Sequence, residues 1–140
     1  MIPVEEMRHV TDFDEMDEKA LEDISAIGTV MTAPAGTYLF HEGDHAAFYY
    51  VLKEGKVVLE FRQEDGSVLT ETVGPGMGVG WSSLAGLMSY SSDARCAEAS
   101  KFLRWAQSDL RHLFNQDGHL GYMMMKACAM SLNRRVAGKL

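Results

Sequence analysis

A chain of 140 residues with 46% hydrophobic and 24% charged residues has the composition of one globular domain, not of a disordered or fibrous protein. No apolar run approaches the roughly 18 residues that span a bilayer, and the N-terminus lacks the basic start and apolar stretch of a signal peptide. The net charge of −7 disfavours nucleic-acid binding, because duplex affinity depends largely on neutralising phosphates. We therefore predict a cytoplasmic protein without membrane contact, folded as a single domain over residues 1–140.

The first two thirds of the chain change from a helical to a strand pattern. Residues 14–27 carry apolar side chains at helical spacing, with acids early, and predict an N-terminal helix that Gly28 ends. Residues 29–106 consist of short β-branched or aromatic segments between turn residues, which predict roughly eight strands. Asp65-Gly66 is the strongest hairpin signal. This spacing favours a sandwich or barrel, so the fold class is mainly β.

The last third returns to helical spacing. Residues 108–138 predict two C-terminal helices, the first with Ser108 as N-cap and the second beginning at Asp117. The second helix carries small and apolar residues at near-heptad spacing, namely Leu120, Met124, Ala127 and Met130 or Ser131. This pattern indicates a stripe that packs on the core or pairs with a second copy.

One segment carries a recognisable signature. LFHEGDHAAFYYVLKEG, residues 39–55, resembles the first signature of cyclic nucleotide-binding domains, the sensor domains of CRP/FNR-type regulators, with Phe40 as its only departure. Gly43 and Gly55 stand at corners where a jelly roll must turn, which glycine tolerates. The resemblance extends over about residues 20–138. It implies a double-stranded β-helix (jelly roll) and a regulatory domain that senses a ligand and is not an enzyme.

The second signature of that family, the phosphate-binding cassette, departs from its pattern. VGWSSL, residues 79–84, and Tyr90-Ser91-Ser92 align with it, but Trp81 and Tyr90 stand where ligand-binding members have Glu and Arg. The resemblance implies a site formed by Gly80, Trp81, Ser82, Ser83, Leu84, Tyr90, Ser91 and Ser92, with Met124 from the last helix.

The two exchanges predict that cyclic AMP is not bound in the usual way. A tyrosine hydroxyl cannot reproduce the fixed positive fork of an arginine. Loss of a charged hydrogen-bond partner costs about 1.5–3 kcal/mol each. We expect Arg95 to lie on the other strand face and not to replace the missing arginine. A different Glu–Arg pair around the cassette would overturn this expectation.

The cassette residues allow two interpretations. Trp81 either fills the vacated pocket as a core aromatic or forms a stacking platform for a flat ligand. The serines either cap and turn the chain or, together with the N-terminus of a short helix, hold a small anionic or nucleotide-like ligand.

Three other functions stay open: a ligand-free scaffold for protein–protein contact, a sensor fragment of a longer CRP/FNR regulator, and a cupin-like metal enzyme. His41 and His45 match the H-E-x-x-H pattern, but a strand and turn do not bring the two rings together as a helix does. We therefore expect no catalytic residue, metal or cofactor.

The family's long helix implies a homodimer, and a chain ending at Leu140 is expected to lack a DNA-reading module.

Overall fold

The computed structural model describes residues 1–138 and shows two four-stranded antiparallel sheets, with strand orders β1-β8-β3-β6 and β2-β7-β4-β5. The strands are β1 Thr29–Ala33, β2 Tyr38–Phe40, β3 Phe48–Glu54, β4 Val57–Arg62, β5 Val68–Val73, β6 Gly78–Val79, β7 Asp93–Cys96 and β8 Ser100–Ala106. The α-helices are α1 Glu18–Ala26, α2 Trp81–Leu84, α3 Gln107–Gln116 and α4 Gly118–Ala137. The predicted jelly roll with one helix before and two after it is confirmed. Residues 139 and 140, at the C-terminus, lie outside the described residues.

The β4–β5 hairpin forms at the predicted turn. Its strands pair in register from Val57 with Val73 to Arg62 with Val68. The Asp65 carboxylate accepts hydrogen bonds from the Ser67 backbone N–H at 2.9 Å and from its hydroxyl at 2.6 Å. These contacts close the turn locally, so the short sequence signal was sufficient to predict it.

Two helix starts differ from the prediction. Helix α1 begins at Glu18, not at residue 14, because the Asp17 side chain caps it by accepting from the Ala20 N–H at 2.8 Å. Helix α3 begins at Gln107, so Ser108 is not its N-cap. Strand β8 runs directly into this helix, and Ala106 holds the N-cap position without a side-chain hydrogen bond.

The N-terminal segment before α1 is part of the core, which the sequence pattern did not indicate. Two short 3-10 helices, Val4–Met7 and Thr11–Phe13, lie there. Their apolar side chains and those nearby are buried against the helices, including Ile2, Met7, Val10 and Phe13. The segment has no regular apolar period because each short helix buries only one or two side chains.

The buried apolar residues form two clusters. The helix-side cluster comprises Ile2, Met7, Val10, Phe13, Met16, Ala20, Ile24, Tyr49, Val51, Trp81, Leu84, Leu103, Trp105, Leu110, Leu120, Met124 and Cys128. The barrel cluster comprises Ala33, Phe40, Ala46, Tyr50, Leu52, Val57, Leu59, Val73, Val79, Tyr90, Ala94, Cys96 and Phe102. Strand β3 contributes to both because successive side chains point to opposite faces of a sheet. Both cysteines are free and buried, one in each cluster.

Helix α4 packs its buried stripe on the helix-side cluster. The buried positions are Leu120, Met124, Cys128 and Ser131. The predicted stripe was right at its first two positions and at Ser131. Met130 is 43% exposed, because a straight helix with 3.6 residues per turn turns that position away from the core. Asp117 caps the helix as predicted, accepting from the Leu120 N–H at 3.1 Å. Within residues 1–138, no helix has the length and apolar character to cross a membrane.

Candidate functional site

A small cavity of about 100 Å³ lies between the cassette segment, the β2-β7-β4-β5 sheet and the end of α4. We call it the cassette cavity; its lining residues are Phe40, Leu59, Phe61, Gly80, Trp81, Ser82, Tyr90, Ser91, Ser92, Leu132 and Arg135. Most of the predicted site residues therefore come together here. The exceptions are Ser83, Leu84 and Met124.

Gly80 turns the backbone from strand β6 into the short helix α2. It has a φ of 86° and lies directly before the short helix α2. A Cβ at this position would lie 3.0 Å from the Phe48 carbonyl oxygen and 3.3 Å from the Tyr90 ring. Both the left-handed backbone and the close approach require glycine.

Tyr90, which the sequence analysis aligned with an arginine, makes its polar and aromatic contacts within the fold. Its hydroxyl donates to the Phe48 carbonyl at 2.5 Å and accepts from the Phe48 N–H at 3.0 Å. Its ring stacks on Phe40, with centroids 3.6 Å apart and planes 9° apart. Burial raises the pKa of Tyr90 to about 12, so the side chain stays neutral at physiological pH. Tyr90 therefore forms part of the cavity wall and has no charge to offer an anion.

Trp81, which the sequence analysis aligned with a glutamate, belongs to the helix-side cluster as well as to the cavity wall. The side chain is 8% exposed, and its ring lies 5.2 Å from that of Tyr49. The indole Nε1–H is buried without a hydrogen-bond partner among the described residues. The core interpretation of Trp81 fits its packing, while the unpaired donor adds a polar group that the core does not use.

The three predicted site residues outside the cavity have structural contacts. The Ser83 hydroxyl donates to the Gly80 carbonyl at 2.8 Å, and its own carbonyl accepts from Gln107 Nε2 at 3.1 Å. Leu84 and Met124 pack in the helix-side cluster. Ser83 thus makes a local side-chain contact with the backbone of its own turn.

Arg135 is the lining residue that the sequence prediction missed. It reaches from α4 to the cassette, where its Nη2 donates to the Gly78 carbonyl at 3.1 Å. Its Nε lies 3.8 Å from Glu71 Oε1 on β5, and the two side chains are only 12% and 15% exposed. This pair does not meet the condition that would overturn the expectation about cyclic AMP, because Glu71 does not line the cassette cavity. The sequence did contain a signal for Arg135, since this residue lies one helical turn beyond Ser131, the last buried residue of the α4 stripe.

Arg95 does not lie in the cavity wall. It is on β7, with its Nε 3.7 Å from Glu60 Oε1, and its side chain is about one third exposed. The predicted alternation along the strand accounts for this placement.

Asp12 lies beside Gly78 and does not line the cassette cavity. Its carboxylate accepts from the Tyr49 hydroxyl at 3.2 Å. Burial raises the pKa of Asp12 to about 6, although hydrogen bonds from Tyr49 and the Gly78 backbone and the charges of Arg134 and Arg135 act in the opposite direction. The N-terminal segment, β6 and α4 therefore meet at one glycine.

The histidine pair of the H-E-x-x-H pattern lies at the end of β2 and in the following turn. His41 Nδ1 is 3.6 Å from Asp93 Oδ1. Within the described part of the chain, no three His, Cys, Asp or Glu side chains are grouped as metal ligands.

A jelly roll whose glycine-turned cassette is covered by a C-terminal helix defines a ligand-binding sensor domain. The sequence model described as cyclic nucleotide-binding domain matches residues 30–117, and the chain belongs to this family.

Solved structures show the same fold. A putative cyclic nucleotide-binding protein from Geobacter metallireducens is 29% identical with a TM-score of 0.86, covering 97% of this chain and 99% of that one. The N-terminal domain of a transcriptional regulator from Streptomyces coelicolor is 26% identical with a TM-score of 0.73, covering 95% and 94%. Catabolite activator protein from Thermus thermophilus, at 22% identity and a TM-score of 0.75, shares the fold over 92% of this chain and 59% of that one. The comparison with curated proteins found no match.

Proposed function

We propose that this chain is a regulatory, non-enzymatic sensor domain whose ligand is not cyclic AMP held in the family's usual way. The observation that carries the proposal is the position of Tyr90. The side chain that replaces the phosphate-binding arginine is stacked on Phe40, and both hydrogen-bonding functions of its hydroxyl are used by Phe48. Binding a cyclic phosphate there requires a charge that Tyr90 cannot supply.

The size of the cassette cavity supports the same conclusion. Its volume is about 100 Å³, whereas pockets for drug-sized ligands have roughly 300–1,000 Å³. A cyclic nucleotide would have to displace Trp81 or move α4. Both changes disrupt packing in the helix-side cluster, to which Trp81 and Met124 belong.

The sensing mechanism we propose is a population shift. Arg135 links α4 to the Gly78 carbonyl beside the cavity, so a ligand that contacts Arg135 favours one position of α4 over another. Helix α4 also carries exposed apolar side chains that do not line the cassette cavity, at Tyr122, Met125 and Val136. We propose that these side chains pair with a second copy and transmit the shift.

The cavity also bears on the alternative of a ligand-free scaffold. A pocket filled by Trp81 would favour a scaffold, and a cavity edged by serines favours sensing. Ser82, Ser91 and Ser92 line an open space here, which supports the sensor.

Titration calorimetry with cyclic AMP and cyclic GMP tests the proposal. We expect binding weaker than micromolar by two or more orders of magnitude, since two charged hydrogen-bond partners are absent. The variant Arg135→Gln serves as a matched measurement, because a nucleotide held by this arginine would lose affinity on the exchange. One-to-one micromolar binding of either nucleotide to the wild-type chain would overturn the proposal.

A further inference from the structure

We propose that the cassette cavity binds a small organic carboxylate with a short apolar body, and that Arg135 and the Trp81 indole N–H hold its carboxylate. This inference rests on the proposed sensor function and names the ligand class of that site. The positive charge that binds the anion then comes from Arg135 on helix α4 and not from the cassette segment, where Tyr90 is uncharged.

Two residues of the cavity lining carry buried donors that have no hydrogen-bond partner among residues 1–138. They are Trp81 Nε1 and Arg135 Nε. Buried donors are almost always paired, and each unpaired group destabilises the fold. Two such donors at one cavity are best explained by a missing acceptor. The hydroxyls of Ser82, Ser91 and Ser92 line the same space and can donate further hydrogen bonds.

Arg135 is held in a way that leaves part of its guanidinium available. Nη2 donates to the Gly78 carbonyl, which fixes the side chain beside the cavity. Nε lies 3.8 Å from Glu71 Oε1, which is an ion-pair contact but too long for a hydrogen bond. A ligand carboxylate within hydrogen-bond distance of Nε would replace Glu71 as the nearer partner. Glu71 therefore acts as an internal competitor for the ligand.

The rest of the cavity indicates what the carboxylate is attached to. Phe40, Leu59, Phe61 and Leu132 provide apolar walls opposite the polar groups. Inorganic phosphate would leave these walls in contact with a strongly hydrated ion, which is unfavourable. A volume of about 100 Å³ limits the apolar body to a few carbon atoms.

The experiment titrates the whole chain with butanoate, following tryptophan fluorescence and the melting temperature. Butanamide, which has nearly the same shape without the charge, and inorganic phosphate, which has the charge without the apolar body, are the comparison ligands. We expect butanoate to bind in the millimolar range, as suits so few atoms, and both comparison ligands to bind markedly less well. Equal effects of butanoate and butanamide, or a preference for phosphate, would overturn the proposal.

Two variants should change the affinity in opposite directions. Arg135→Gln should weaken butanoate binding roughly ten- to hundredfold, because a charged hydrogen bond is lost. Glu71→Gln should strengthen it roughly threefold or more, because the competing negative charge is removed. Arg134→Gln makes the same charge change at the neighbouring residue, which does not line the cavity, and should stay within about twofold of the wild type.

A third variant guards against loss of folding in Arg135→Gln. Trp81→Phe keeps an aromatic ring but removes the indole N–H together with part of the ring, so we expect roughly two- to tenfold weaker binding, a lower melting temperature and an unchanged far-ultraviolet circular dichroism spectrum. Absence of butanoate binding to the wild type, or equal binding to all variants, would refute the carboxylate site. That result would leave the proposed sensor function standing, since that function fails only on micromolar nucleotide binding.

Discussion

Tyr90 uses its hydroxyl to join the cassette to the first residue of β3. It both donates to and accepts from the backbone of Phe48, and its ring stacks on Phe40. Tyr90 is therefore a structural contact. We infer that its side chain stabilises the folded domain.

The variant Tyr90→Phe tests this structural role. It keeps the stacked ring but leaves the Phe48 N–H and carbonyl without this partner, so the free energy of unfolding should fall by about 1–3 kcal/mol. Urea denaturation measures the change. Tyr122→Phe, at a side chain that is 58% exposed, is the matched control and should change stability by less than about 0.5 kcal/mol. Equal effects of the two variants would show that the Tyr90 hydroxyl does not stabilise the fold.

At the residue level, local sequence patterns predicted most of the residues that line the cassette cavity, but not the charged residue Arg135. Gly80, Trp81 and Tyr90 were found because the family spacing is local. Arg135 was missed because it comes from α4, far along the chain from the cassette, and only the three-dimensional packing brings it to Gly78. Ser83 does not line the cavity, because its hydroxyl donates to the Gly80 carbonyl, a local contact that the sequence alone does not distinguish from a contact with a ligand.

At the scale of elements, the N-terminal segment, β6 and α4 converge on Gly78. Its backbone hydrogen-bonds Asp12 on one side and accepts from Arg135 on the other. A Cβ at Gly78 would lie 2.6 Å from the Tyr49 hydroxyl oxygen, 2.8 Å from Asp12 Oδ2 and 2.8 Å from the Trp81 ring. A shift of α4 therefore changes the surroundings of both the cassette cavity and the buried carboxyl of Asp12.

This junction makes the stability of the domain depend on pH. The pKa of Asp12 is raised from 3.8 to about 6 in the folded chain, so the folded state binds the proton more tightly than the unfolded state. The stabilisation is fully present below about pH 4 and is lost as the pH rises through about 6, a difference of about 3 kcal/mol at 1.36 kcal/mol per pKa unit.

The variant Asp12→Asn should lack this dependence. The difference in unfolding free energy between variant and wild type should grow from pH 4 to pH 6 and then level off, because only the wild type loses a proton there. Asp14→Asn, at an exposed neighbouring residue, is the control. A difference that stays constant across this pH range would contradict the assignment of a raised pKa to Asp12.

Element boundaries were predicted where side chains near in sequence set them. The caps at Asp17 and Asp117 and the turn at Asp65 are local contacts. The N-cap of α3 was predicted two residues late, at Ser108 instead of Ala106, because β8 runs into the helix without a break and the Gln107 N–H donates to the Ala47 carbonyl at 2.8 Å. That partner lies in the loop before β3 and cannot be read from the local pattern.

At the scale of the whole molecule, β3 connects the two apolar clusters. Tyr49 and Val51 belong to the helix-side cluster, while Tyr50 and Leu52 belong to the barrel cluster. Strand β8 divides its side chains in the same way and pairs with β3 along its length. The glycine-marked turns allowed the jelly roll to be predicted, but the uninterrupted apolar run of β3 showed only that both faces are buried.

Because the two clusters share their central strands, we expect the domain to unfold as one cooperative unit. Both tryptophans, Trp81 and Trp105, lie in the helix-side cluster, so their fluorescence follows that cluster, whereas far-ultraviolet circular dichroism follows the sheets. The two urea transitions should coincide. Two variants at fully buried positions extend the test, Ile24→Val on the helix side and Val73→Ala in the barrel. In each variant, the fluorescence and circular dichroism transitions should shift by the same amount. A fluorescence transition that precedes the loss of sheet, or a variant that shifts only one probe, would show that the helices unfold separately from the β-roll.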